Sequence, residues 1–183
     1  MKRPLLVVGL VLVVLAMAAV PALAWYEKPV MDGAYVFPLA DNPDLPLGFW
    51  AEWTGADAKT IAYDPGTPIP SGYEVLLAFT SGDASKSAVL RETDVFLLSA
   101  TVTDASGHVV ARVSEEQAKA IWSPLYRSAG DWYHDWWWSL GRLPDGSYKV
   151  TMRERLTAAI TYADGTSWTP FKSTSRFAIR VGQ

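Results

Sequence analysis

Residues 143–153 read LPDGSYKVTMR. Pro144, Asp145 and Gly146 are turn formers. Beyond them Tyr148, Val150 and Met152 alternate with Lys149, Thr151 and Arg153, the two-residue period of a strand with one apolar and one polar face.

The same period recurs on both sides of this stretch. Tyr73, Val75, Leu77 and Phe79 share one parity, as do Phe96, Leu98, Ala100 and Val102. Thr103–Gly107 then turns the chain into a strand over His108–Val113. Leu156, Ala158, Ile160 and Tyr162 alternate with threonine and alanine up to the hairpin turn Asp164-Gly165. The last strand places Phe177, Ile179 and Val181 inward, with Arg176, Ala178 and Arg180 outward. Phe49–Trp53 and Lys59–Tyr63 read as earlier strands. One segment reads as helix: Ser114-Glu115-Glu116-Gln117 is a capping box, and the helix must end before Pro124, at about Trp122. The expected fold is all-β: a single antiparallel β-sandwich with one short helix.

Two stretches carry a family resemblance. VTDASGHVVARV (102–113) resembles the hairpin of bacterial extracellular immunoglobulin-like domains, and LPDGSYKV (143–150) resembles their Leu-Pro-x-Gly-x-Tyr-x-Val segment. The resemblance implies an immunoglobulin-like sandwich in which Tyr148 packs inward and bonds its hydroxyl to nearby backbone. It implies no activity. Residues 114–142, between the two stretches, depart from the pattern.

The N-terminus has its own logic. Lys2 and Arg3 precede an apolar run from Leu5 to Val20, then Pro21 and Ala22-Leu23-Ala24. This is the pattern of a signal peptide over residues 1–24, cleaved after Ala24, with a retained membrane anchor through residues 5–20 as the alternative. Residues 25–183 are then one exported domain, secreted or held in the cell envelope. It has no cysteine for disulfides or lipid attachment. The formal charge is −3, and losing Lys2 and Arg3 makes it more negative. With no basic run in the sequence, nucleic acid and anionic membrane surfaces are disfavoured as partners.

Catalytic signals are sparse. There is no cysteine, no Gly-x-Ser-x-Gly elbow, and no motif for a cofactor. Asp131, His134 and Asp135 would have to leave a strand conformation to converge on a metal. Glu52, Glu74, Asp94, Glu115, Glu116 and Asp135 offer carboxylates but no pairing. No catalytic or metal-binding residue is assigned.

The densest aromatic stretch is DWYHDWWW (131–138). As a strand it splits into Trp132, His134, Trp136, Trp138 and Leu140 on a core face, and Tyr133, Asp135, Trp137 and Ser139 on a polar one. Trp137 and Tyr133 are therefore the candidate ligand-binding residues, with Trp50 and Trp53 as further candidates. The expected function is that of a non-catalytic binding module for glycan or protein. The alternatives are a structural or assembly protein of the envelope and, third, a secreted hydrolase.

Overall fold

The computed structural model describes residues 32–38, 49–53, 60–61 and 67–182. The proposed leader lies outside the described residues, as do residues 39–48 and 64–66 and the side chains of Trp50 and Trp53. Among the described residues no helix is long and apolar enough to cross a membrane.

Among the described residues twelve strands and two helices follow one another. The first sheet contains β1 (Gly33–Pro38), β2 (Phe49–Trp53), β3 (Thr60–Ile61), β4 (Glu74–Asp83), β7 (Tyr126–Ser128) and β8 (Asp131–Arg142), in the order β3-β2-β1-β4-β8-β7. The second contains β5 (Phe96–Thr103), β6 (Val109–Val113), β9 (Gly146–Leu156) and β12 (Phe171–Val181), in the order β12-β9-β5-β6. A small ladder joins β10 (Ile160–Thr161) to β11 (Ser167–Trp168) across the Asp164-Gly165 turn. Helix α1 (Lys86–Val95) links β4 to β5, and α2 (Glu115–Lys119) follows β6.

The inward faces of both large sheets meet in one core. Val75, Leu77, Phe79 and Trp136 come from the first sheet, and Leu98, Val102, Val150, Met152 and Ile179 from the second. The architecture is thus all-β and sandwich-like, as the alternation requires.

Four expectations need correction. The sandwich is not wholly antiparallel, because β1 runs parallel to β4 with Ala34 opposite Val75. The helix starting at Ser114 has the expected capping box, but it stops at Lys119, and Trp122 instead bridges to Trp136. There are also two helices among the described residues rather than one. Ser85 caps α1, its hydroxyl accepting from the Ala88 amide, and the helix buries Ala88, Val89, Glu92 and Val95. Its stripe was hidden by the glutamate. Leu156 and Ile160 belong to separate strands, β9 ending where the chain bends toward β10.

Glu92 is 3% exposed, yet satisfied: it accepts from the Ser81 hydroxyl at 2.6 Å and the Tyr162 hydroxyl at 3.2 Å. Glu154, also on the core side, accepts from Ser173 at 2.7 Å and Ser175 at 3.4 Å. These bonds tie α1 to β4 and the β10 hairpin, and β9 to β12.

Tyr148 is buried and donates its hydroxyl to the Pro144 carbonyl at 2.7 Å, closing the turn that starts β9. Burial, helped by the Asp104 and Asp145 carboxylates, raises its phenol above the usual tyrosine range near 10. A raised folded-state pKa leaves stability whole below the unfolded value and removes it as pH rises through the folded one. Tyr148→Phe should cost about 1 kcal/mol near neutrality. That gap should narrow above a pH of about 10, where only the wild type must bury a tyrosinate. Urea titrations at neutral and alkaline pH check this; a gap independent of pH would refute it.

Candidate functional site

Strand β8 carries the aromatic stretch through the six-stranded sheet, between β4 and the edge strand β7. It pairs with β4 from Asp83 opposite Trp132 to Leu77 opposite Trp138, and with β7 from Ser128 opposite Asp131 to Tyr126 opposite Tyr133. The β7–β8 hairpin turns through Ala129 and Gly130, both at positive φ.

On the inward side, Trp136 is fully buried and donates its indole N–H to the Ala118 carbonyl at 2.9 Å, which fixes α2 against the core. Trp138 and Leu140 are half-buried against the same core. His134 tilts onto Trp122, their ring centroids 5.3 Å apart. At the strand's start Trp132 leaves the core and meets two cations: the Lys86 ammonium lies 5.0 Å and the Arg127 guanidinium 5.7 Å from its ring centroid.

The opposite side is an aromatic and polar face. Tyr133 lies across Gly82, where a Cβ would come within 2.6 Å of the Tyr133 ring. The missing side chain lets the ring rest on the sheet. Tyr126 stacks beside it, with centroids 5.6 Å apart and planes 24° from parallel. Next along the strand is Asp135, only 5% exposed, accepting from the Thr80 and Tyr126 hydroxyls at 2.8 Å each. Trp137 follows, half-buried and edge-on to Tyr35 at 5.5 Å, against a small second apolar cluster of Tyr35, Leu76 and Ala78. Tyr133 and Trp137 thus share one face as read from the sequence. Tyr126 joins them, which the sequence reading missed because only the β7–β8 register reveals it. Trp50 and Trp53 lie on β2, two strands away from β4 through β1.

Three of the sequence's candidate carboxylates have partners within the protein. Asp135 is committed to two internal hydroxyls, Glu115 pairs with Arg155 at 2.7 Å, and Glu74 accepts from Ser139. Among the described residues no three His, Asp or Glu side chains converge as a metal site would require. The exposed turns hold two carboxyls below their ordinary range. Asp104 is lowered chiefly by the Ser106 hydroxyl and Asp164 chiefly by the Thr166 amide, which are turn-forming bonds rather than chemistry.

The other sheet adds a feature that the sequence does not show as a run. The chain has no basic run, but the outward positions of β9 and β12 bring lysines and arginines together across the register. A basic cluster therefore exists, assembled by strand pairing.

Comparison with known proteins finds no match: no protein family, no curated protein and no solved structure aligns with the chain. What the protein does must be argued from its own surfaces.

Because Trp137 rests on Tyr35, Leu76 and Ala78, its truncation removes packing as well as any ligand contact. Trp137→Ala should lower stability by about 2 kcal/mol, roughly half the cost of a fully buried tryptophan. Chemical denaturation measures this, and an unchanged midpoint would mean the ring contributes nothing to the sheet.

Proposed function

We propose that the protein is an extracytoplasmic, non-catalytic binding module on an immunoglobulin-like sandwich, and that it holds a glycan across the aromatic face of β7, β8 and β4. The leader-like pattern of residues 1–24 supports export. The Tyr148–Pro144 bond supports the immunoglobulin-like kinship, since a tyrosine corner closes strands in that fold in the same manner.

The observation that carries the binding reading is the Tyr126–Tyr133 pair resting on Gly82. Tyrosines supply large, rigid contact area with little entropy to lose. A ring laid along a sheet offers a flat apolar surface to the C–H face of a sugar, and the adjacent hydroxyls offer polar partners. Both tyrosines are half-buried, which fixes their orientation while leaving part of each ring accessible.

Affinity electrophoresis of the full chain through gels containing a neutral polysaccharide, such as laminarin or hydroxyethylcellulose, tests the reading. Retardation is expected for the wild type. Tyr133→Ala should weaken it by about tenfold or more. Gly82→Ala should do the same while deleting no ring, because the new methyl group lifts Tyr133 off the sheet. Wild-type retardation of both variants would sink the proposal, as would indifference of the wild type to every neutral glycan.

A second reading, assembly with another envelope protein, is favoured by one observation. β6 is an edge strand, and its Val109 and Val110 are 51% and 43% exposed. An exposed apolar edge invites strand addition. On that reading the chain self-associates or captures a strand, and Val110→Lys abolishes it. Sedimentation of a concentration series distinguishes the cases, a concentration-independent monomer arguing for the glycan module alone.

A further inference from the structure

The outward face of the four-stranded sheet is built from one kind of charge. Register pairs on β9 and β12 run Ser147–Arg180, Lys149–Ala178, Thr151–Arg176, Arg153–Thr174 and Arg155–Lys172. Every pair holds a cation, and in the first four it alternates between the two strands. Successive pairs on one face are about 6.8 Å apart, so the five form a zigzag track roughly 27 Å long. Arg112 on β6 extends the Thr151–Arg176 row sideways through Thr101 on β5. No acidic residue occupies an outward position of β5, β9 or β12. The acids nearby sit at the margins: Glu115 at the start of α2, paired with Arg155, Asp104 in the β5–β6 turn, and Asp145 before β9, against Gly182.

Two features narrow what such a face fits. Most outward positions between the cations carry hydroxyls, among them Ser99, Thr101, Thr151 and Thr174, with Leu97 and Ala178 as the apolar exceptions, and no aromatic ring stands among them. Single-stranded nucleic acid binds sheets through rings that stack on bases, which are missing here. The face is also hollowed. One shallow depression of about 600 Å³ lies between Ser99, Thr101, Arg112, Thr151 and Arg153, with Glu115 on its lining, and another of about 660 Å³ lies between Thr103, Ser147, Lys149 and Arg176, with Asp104 on its lining. A lipid surface would bridge such hollows without filling them, whereas a chain molecule can lie in them.

We infer that this face is a docking track for a linear anionic polysaccharide bearing carboxylate groups. The arginines meet the carboxylates, each able to form a paired hydrogen bond, and the serines and threonines meet the sugar hydroxyls. The track lies on the sheet opposite the aromatic face and does not depend on it. The two surfaces let one domain hold a neutral and a charged glycan at once.

The test uses the full chain with polygalacturonate as probe, and with dextran, an oligothymidylate and phosphatidylserine vesicles as comparators, at low and high sodium chloride. Polygalacturonate should bind best and lose affinity steeply as salt rises, since its counterions are released on binding. The Lys149→Gln/Arg153→Gln/Arg176→Gln variant should bind it at least about tenfold more weakly with an unchanged melting temperature. If the triple variant is destabilised, Arg153→Gln and Arg176→Gln singly carry the measurement. Lys86→Gln/Arg127→Gln, which alters cations near Trp132, should bind as wild type. Tyr133→Ala should also keep polygalacturonate while losing neutral glycan, which separates this inference from the aromatic-face proposal. Tighter binding to the oligonucleotide or the vesicles would overturn it. So would no binding at low salt, or equal binding by the track variants.

Discussion

The pairing of β9 with β12 is the constraint on which the rest of the molecule depends. Eleven residues of each strand are in unbroken antiparallel register, from Gly146 opposite Val181 to Leu156 opposite Phe171. A slip of one residue by β12 would turn Phe177 and Ile179 to solvent and drive Arg176 and Arg180 toward the core, and a slip by β9 would do the same with Val150 and Met152 against Lys149 and Arg153. No disulfide braces this pairing, since the chain has no cysteine. The register is held by its inward side chains, by the turn that Tyr148 closes, and by Ile69, which pairs with the end of β12 and is itself buried. Burying the apolar parity and displaying the basic one are therefore a single requirement.

The six-stranded sheet is organised by a different economy. Its central strand β4 is buried on both sides from Val75 to Phe79, one parity in the main core and the other, Leu76 and Ala78, beneath Trp137. Polar groups that enter this packing come with partners. Asp135, Glu92 and Glu154 each accept from two hydroxyls, drawn in every case from elements distant in sequence or from a neighbouring strand. A buried carboxylate satisfied in this way joins the elements that surround it, because moving any of them would orphan a costly group. The three are better understood as rivets than as reagents.

How far the sequence was readable follows from the same physics. Strands β5, β9 and β12 alternate cleanly, so most of their inward residues could be named; on β8 Trp136 could be, whereas Trp132 leaves the core and Asp135 on the polar face is buried. The capping box at Ser114 was equally plain, since it is a local motif. Helix α1 was not, because its apolar stripe includes Glu92, and the hydroxyls that make a buried glutamate tolerable lie on β4 and beside β10. The parallel β1–β4 pair was hidden for a related reason: it joins segments separated by a long connection that carries no signal of direction. At the aromatic face the sequence supplied Tyr133 and Trp137, but not Tyr126, which becomes their neighbour only through the short β7–β8 hairpin. The basic track was invisible to a search for runs. Alternation spreads its charges over every second residue of two strands and interleaves them with core.

Net charge is a poor guide to such a surface, and the size of the sandwich shows why. Two packed sheets stand about 10 Å apart, and outward side chains widen the gap between the outer faces further. At physiological ionic strength an exposed charge is screened within about 8 Å. A polymer lying along β9 and β12 therefore feels Arg153, Arg176 and Lys149 directly and the acidic residues of the opposite sheet hardly at all. The formal charge of −3 describes the whole chain; the field at this face is set by its nearest rows. The same separation keeps the aromatic face out of reach of the cations on β9 and β12, so a neutral ligand there would not be displaced by salt. The two faces can differ in chemistry because alternation shows only the outward parity of each sheet, which puts the cations of β9 and β12 and the rings of β7 and β8 on opposite sides of the core.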